Sequence, residues 1–292
     1  MQRIGFVGLG AMGTPMARNL LAKGFTVQGY DTRAAAVDEL AEAGGVRAAD
    51  VAAAADGADA LVLMVVNAAQ AAAVLFDGGA LARLPEGAAV VLMATCPPGA
   101  VADLAGRVEA AGRRFVDAPV SGGVVGARAG TLTIMAACPQ AVFDGIRPVL
   151  AAMGDKVFHV GERAGQGATV KTVNQLLCGV HIAVVAEAFA LAAKIGVDPD
   201  VVLEIMSGSA ASSWMLKDRG PRMLQAEPEV TSAVDIFVKD LGIVLEAGRE
   251  AKAALPLAAV AHQLFLATSG RGDGAADDSQ VIRSYALLNG TA

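Results

Sequence analysis

Apolar positions in the first half of the chain gather into short, nearly unbroken runs separated by stretches of helical spacing. Residues 4–7, 26–30, 60–66, 88–93 and 114–116 read as strands. Runs with no polar face are the pattern of parallel strands buried on both sides. The intervening stretches 14–22, 34–43, 68–76 and 101–111 are Ala-rich and read as helices. Strand alternating with helix predicts a mostly parallel sheet with helices on both faces. Two further strands are predicted at 132–136 and 156–160, with a helix between them.

After Gly165 the pattern changes. Residues 168–195 read as one long helix in which only Gly179 breaks the composition. Helices are also predicted at 199–207, 214–225, 232–251, 256–268 and 278–288, and the polar stretch 269–278 reads as loop. Two domains follow: 1–163 built on the sheet, and 164–292 all-helical, entered through the long helix. Its apolar part, 176–193, suggests a membrane by hydropathy, but His181 and Glu187 lie inside it. A lipid-facing helix tolerates these poorly, so a helix buried between protein layers is predicted.

The length of 292 residues suits two domains. Hydrophobic residues make up 54% and charged residues 18%, which excludes a disordered chain. A net charge of −6 argues against a nucleic-acid partner. Cys96, Cys138 and Cys178 lie far apart with no C-x-x-C, so neither a disulfide framework nor a zinc site is expected. His159, His181 and His262 are equally isolated, so no metal is expected. The chain enters a strand at once, leaving no room for a signal peptide, and a cytoplasmic location without a membrane partner is expected. G-x-S-x-G and G-K-[ST] motifs are absent.

Gly8-Leu9-Gly10-Ala11-Met12-Gly13 matches G-x-G-x-x-G between a strand and a helix. In that context its glycines allow a tight turn, close approach of a pyrophosphate and close helix packing, and the helix N-terminus offers N–H groups to the phosphates. Asp31 ends the next strand, 23 residues after Gly8, where a carboxylate hydrogen-bonds the adenosine ribose hydroxyls. Its charge repels a 2′-phosphate, which favours NAD over NADP. Arg33, two residues on, would accommodate that phosphate if turned inward.

Three other clusters carry chemistry. Asp117-Ala-Pro-Val-Ser121-Gly122-Gly123 places a hydroxyl and backbone N–H groups after a strand, where open α/β sheets bind ligands; the plain alternative is a Gly-rich turn. In Gly165-Gln-Gly-Ala-Thr-Val-Lys171-Thr-Val-Asn174-Gln175, spacings of three and four put Lys171, Asn174 and Gln175 on one helix face. A lysine there can exchange a proton with a hydroxyl oxygen, or simply snorkel to water. Phe237-Val-Lys239-Asp240-Leu241 offers a second cation, or a solvated charge.

GFVGLGAMGTPMARNL, DAPVSGG, GQGATVKTVNQLL and FVKDL, in that order over essentially the whole chain, resemble the β-hydroxyacid dehydrogenase family, which includes 3-hydroxyisobutyrate dehydrogenase and tartronate semialdehyde reductase. The resemblance implies an N-terminal α/β Rossmann domain and an all-α C-terminal domain with the active site between them. It matches Lys171 to the catalytic lysine and Ser121, Gly122 and Gly123 to a substrate-carboxylate loop. Asn174 matches a substrate-orienting position, Lys239 an active-site lysine, Thr95 a loop near the nicotinamide, and Asn67 a position lining the cofactor. It also implies a homodimer or homotetramer. VVNAAQAAAVLF, LLCGVHIAVVAEAFALAAKIG, SSWMLKDR and SAVDIFVKDLG resemble more narrowly the branch that oxidises L-threonate, although that branch can carry His where this chain has Asn174.

The implied reaction is hydride transfer between a small hydroxy acid and the nicotinamide, with Lys171 moving the hydroxyl proton. L-Threonate oxidised at C2 heads the expected substrates, followed by 3-hydroxyisobutyrate and tartronate semialdehyde. Imine reduction, or nucleotide binding without catalysis, are the readings from other classes.

Overall fold

The computed structural model describes residues 2–290 in two compact units, one ending at Lys171 and the other starting at Thr172. The first unit is built on a nine-stranded sheet: β1 (Arg3–Val7), β2 (Thr26–Tyr30), β3 (Val46–Arg47), β4 (Ala60–Leu63), β5 (Ala89–Leu92), β6 (Arg114–Asp117), β7 (Val120–Ser121), β8 (Thr133–Ala137) and β9 (Lys156–Gly161). The order is β3-β2-β1-β4-β5-β6-β8-β7, with β9 on β8. Strands β1 to β6 pair in parallel, and β8 runs antiparallel to β6 and β7. From β1 the chain runs outward through β2 to β3 and then crosses back to lay β4 on the other side of β1, so the strand order switches at β1; open sheets bind nucleotides at such a point.

Alternation across the pleat explains the unbroken apolar runs. Val62 of β4 and Val91 of β5 enter one core with Ile4, Phe6, Met16 and Leu20. Leu61, Leu63, Val90 and Leu92 enter a second core on the opposite face, with Leu75 and Leu104. Each fully buried aliphatic side chain contributes about 1.5–3 kcal/mol. Covering both faces are α1 (Gly13–Ala22), α2 (Ala34–Glu42), α3 (Val51–Ala55), α4 (Ala68–Ala72), α5 (Ala80–Arg83), α6 (Pro98–Ala110), α7 (Gly123–Ala129) and α8 (Gln140–Met153). Short elements escape the sequence pattern: β3, β7, α3, α5 and α7 are too brief to show a period. The helix predicted over 68–76 divides into α4 and a π-helical turn at Ala73–Asp77.

The 29-residue helix α9 (Gln166–Lys194) begins in the first unit and continues into the second. There follow α10 (Pro199–Ser207), α11 (Trp214–Met223), α12 (Val234–Ala251), α13 (Pro256–Thr268) and α14 (Ile282–Leu288). Ile182, Ala186 and Phe189 of α9 pack with Phe237, Leu241 and Val244 of α12 and Phe265 of α13, and the Phe237 and Phe265 rings stack at 5.2 Å. Gly179 brings α9 close to α12: a Cβ there would stand 2.8 Å from Leu241 Cδ2. The expectation that residues 176–193 form a helix buried between protein layers holds on one side only: Ile182, Ala186 and Phe189 are buried, whereas Leu177, Val184 and Leu191, with Val173 just before them, lie on the exposed side of α9.

Candidate active site

The β1–α1 loop is shaped by its three glycines in three ways. A Cβ on Gly8 (φ +96°) would stand 2.3 Å from the Met64 carbonyl oxygen, and one on Gly13 would stand 1.8 Å from the Gly8 carbonyl oxygen. Nothing lies within 4 Å of a Cβ built on Gly10, so the middle glycine faces open space. Leu9 is buried and presents only backbone to the loop, Ala11 is exposed, and Met12 packs against the core. No side chain caps α1 and its first turn holds no acid, so its N–H groups and positive dipole end suit a pyrophosphate. Thr14 Oγ1 donates to the Leu9 carbonyl at 2.7 Å and braces the turn.

Asp31 closes this cradle. Its Oδ2 accepts the Leu9 N–H at 2.8 Å, and its Oδ1 accepts the Arg33 N–H at 2.9 Å and Arg33 Nε at 3.2 Å. Arg33 Nη2 donates to the Leu9 carbonyl at 2.9 Å. Arg33 is thus held against the acid and the loop. Asn67 and Thr95 follow β4 and β5 at the same end of the sheet. Asn67 also caps α4, accepting the Gln70 N–H at 2.8 Å. Open glycine, uncapped helix and the carboxylate that follows β2 together fit a dinucleotide.

The end of β6 is tied to the start of α9. Asp117 is 1% exposed, and its Oδ2 accepts the N–H of Gly165 at 2.9 Å and of Ala168 at 3.0 Å. Gly167 makes the approach possible, since a Cβ there would stand 2.5 Å from the Met135 carbonyl oxygen. Burial pushes the Asp117 carboxyl up to about 6, against the pull of those backbone N–H groups. Asp117 therefore anchors the helix that carries Lys171 one turn later, and it closes the strand that precedes Ser121. Ser121 lies in β7 opposite Thr133; Gly122 and Gly123 take φ of +123° and +59°. The Gly-rich turn opens a helix, with Gly123 the first residue of α7.

Lys171 is 7% exposed, on the face of α9 that it shares with Asn174, Gln175 and Cys178. In the second unit, Asn174 Nδ2 donates to Gln175 Oε1 at 2.8 Å and lies 3.3 Å from Cys178 Sγ. Gln175 Nε2 donates to Asp240 Oδ2 at 2.5 Å, and Lys239 Nζ donates to Asp240 Oδ1 at 2.5 Å. Asn174 and Lys239, 65 residues apart, are thereby joined through two buried side chains.

Comparison with known proteins identifies the family. The profile of the NAD binding domain of 6-phosphogluconate dehydrogenase matches residues 3–161. The profile of the NAD-binding part of NADP-dependent 3-hydroxyisobutyrate dehydrogenase matches residues 165–285. The chain belongs to the β-hydroxyacid dehydrogenase family. It is 45% identical to L-threonate dehydrogenase of Cupriavidus necator over 97% of this chain and 96% of that one. It is 37% identical to 2-(hydroxymethyl)glutarate dehydrogenase of Eubacterium barkeri over 99% and 97%. The crystal structure of 3-hydroxyisobutyrate dehydrogenase from Salmonella typhimurium superposes with a TM-score of 0.92 at 40% identity, covering 97% of this chain and 99% of that one. As a member of the family the protein is an NAD(P)-binding oxidoreductase that acts on the CH–OH group of a hydroxy acid.

Three residues of the site lack an expected role from sequence: Asp117, Gln175 and Asp240. Asp117 shows one signal, a charge directly after the buried apolar pair Phe115 and Val116. Asp240 shows another: it falls on the helical stripe of Phe237, Leu241 and Val244, all buried. Gln175 shares the Lys171 face, but nothing in its spacing names a partner 65 residues away.

Proposed function

We propose that the protein oxidises the C2 hydroxyl of a small polyhydroxy acid, L-threonate first, to the 2-oxo acid, with NAD as cofactor and Lys171 as general acid/base. Lys171 carries the reading. A lysine 7% exposed on an apolar helix is costly unless it is used. In the oxidation it takes the hydroxyl proton as the C2–H bond breaks; in the reverse direction it returns that proton. When bound, the nicotinamide supplies the hydride acceptor.

The cofactor-holding residues are Gly8 to Gly13 and Asp31, with Asn67 and Thr95 at the neighbouring strand ends. Asp31 supports NAD over NADP, because its carboxylate would meet a 2′-phosphate and also holds Arg33. Ser121, Gly122 and Gly123 are the proposed carboxylate loop, Asn174 orients the substrate, and Lys239 is the second cation beside substrate or nicotinamide. L-Threonate is supported by the name of the relative 45% identical to this chain. Asn174, where the threonate branch can carry His, favours 3-hydroxyisobutyrate or tartronate semialdehyde as the second reading. We also infer a cytoplasmic protein that assembles as a homodimer or homotetramer through the apolar outer stripe of α9.

Purified protein assayed against L-threonate, D-erythronate, 3-hydroxyisobutyrate, D-glycerate and L-serine, with NAD and NADP in parallel, tests the proposal. L-Threonate with NAD is expected to give the highest kcat/KM, at least about tenfold above the others, the factor of one lost hydrogen bond to a charged group. Preference for 3-hydroxyisobutyrate would discard the substrate and keep the lysine chemistry. No turnover on any of them would discard both.

A further inference from the structure

We infer that Asp240 and Gln175 are positioning residues that fix which end of the Asn174 amide meets the substrate and hold the Lys239 ammonium in place, an inference resting on the substrate role given to Asn174 above. The polarity runs one way from the carboxylate. A salt-bridged carboxylate only accepts hydrogen bonds. One oxygen of Asp240 takes Lys239 Nζ and the other takes Gln175 Nε2, both at 2.5 Å. Gln175 must therefore turn its nitrogen to Asp240 and its oxygen away. That oxygen accepts Asn174 Nδ2 at 2.8 Å, and Cys178 Sγ lies 3.3 Å from the same nitrogen. The planar amide of Asn174 then carries its carbonyl oxygen on the opposite side. Presented to a substrate, Asn174 is an acceptor. An acceptor suits a hydroxyl, which donates, and disfavours a carboxylate or keto oxygen, which only accepts.

Stability alone does not account for the pair. Gln175 is 6% exposed and Asp240 2% exposed, between helices that otherwise meet through Ile182, Phe237 and Leu241. Apolar residues of similar volume at such a place are often neutral or stabilising. The contact is instead built for: Gly179, one turn beyond Gln175, admits Leu241, the neighbour of Asp240, and so sets the helices close enough for a short amide–carboxylate bond. The same carboxylate fixes Lys239, whose side chain stays 24% exposed while that of Asp240 is 3% exposed. One buried acid thus orients two groups on two helices.

A double-mutant cycle on Asn174→Ala and Gln175→Met, with the fastest substrate of the panel, tests the relay. Gln175→Met is expected to lower kcat by about 10- to 100-fold, the size of a misplaced orienting group, with an unchanged dissociation constant for NAD and with Tm lowered by the loss of one hydrogen bond to a buried carboxylate. In the Asn174→Ala background it should lower kcat no further than about twofold, because Gln175 acts through Asn174. Full losses in both backgrounds, or wild-type kcat in Gln175→Met, would overturn it. Side-chain amide exchange by NMR gives an arm without substrate. The Asn174 NH₂ should exchange slowly in the native protein and at least about tenfold faster in Gln175→Met and in Asp240→Asn, as when a buried hydrogen bond is lost. Unchanged exchange would overturn the relay even if the panel shows no turnover, whereas failure of the panel alone overturns only the assigned reaction.

Discussion

Replacing Lys171 by alanine removes a buried ammonium from α9 without touching the β1–α1 loop, so cofactor binding and turnover should separate. The dissociation constant for NAD is expected to stay within about twofold while kcat falls by roughly 10²–10⁴, the range of a lost acid–base group; titration by fluorescence beside steady-state rates measures both, and near-normal turnover would remove Lys171 from the chemistry. Asp117 makes a different prediction. Its folded carboxyl stands at about 6, above the ordinary 3.8. The folded state therefore binds this proton more tightly than the unfolded chain. The contribution is fully present below about pH 4 and is lost as pH rises through 6, amounting to about 3 kcal/mol at most. Asp117→Asn does not titrate, so its Tm relative to wild type should rise between pH 4.5 and 7.5, and a constant difference would refute the buried titration. Lys171 is legible in the sequence because it is a charge on an otherwise largely apolar helix. Asp117 is not, because its partners Gly165 and Ala168 lie 48 and 51 residues away and offer only backbone.

Elements with long hydrophobic periods are the ones the sequence shows plainly. α10 and α13 stand where the pattern puts them, whereas α7 hides inside Gly-Gly, a pair that reads as a turn. Also hidden is the polar clasp of α11. Arg219 is bidentate to Asp278, Nε to Oδ1 and Nη2 to Oδ2 at 2.9 Å each, and pairs with Asp218 as well. Arg222 reaches Asp277 at 2.8 Å and Asp218 at 2.6 Å. Burial pushes the Asp278 carboxyl up, and Arg219 opposes that shift. Both residues sit in a stretch, 269–278, and a helix whose sequences look solvated. The ion pair crosses 59 residues, which no local period reports. Arg219→Ala leaves the Asp278 carboxylate buried without its clasp and is expected to cost about 3–5 kcal/mol, read as a lower urea midpoint. Arg219→Met with Asp278→Asn should recover most of that loss. If the single substitution costs under about 1 kcal/mol, the clasp behaves like a surface pair and α11 is held by packing alone.

At the scale of the whole molecule, α9 decides how the chain meets its surroundings. Its most apolar window has a mean hydropathy of 2.1 and only 39% of it is buried, so by length and composition it could cross a membrane. Its buried face argues against that: Lys171 and Gln175 lie there, and Glu187 accepts the Tyr285 hydroxyl at 3.2 Å. Packing against α12 and α13 is what that face is made for, and a lipid environment would strip it of those partners. The outer face is the part that needs cover. Val173, Leu177, Val184 and Leu191 recur at spacings of four, seven and seven, a stripe along one side of a straight helix. Contiguous exposed apolar surface of this kind is typical of protein interfaces, which supports the proposed pairing of two copies through this stripe. Light scattering behind size exclusion should return a multiple of 29.3 kDa at micromolar concentration. Val184→Glu with Leu191→Glu places two carboxylates on each side of that contact, away from the Lys171 end of the helix. The mass should fall to one chain with helical content and Tm of the monomeric unit retained. A wild-type protein already of single-chain mass would show that the stripe is covered by something other than a second copy.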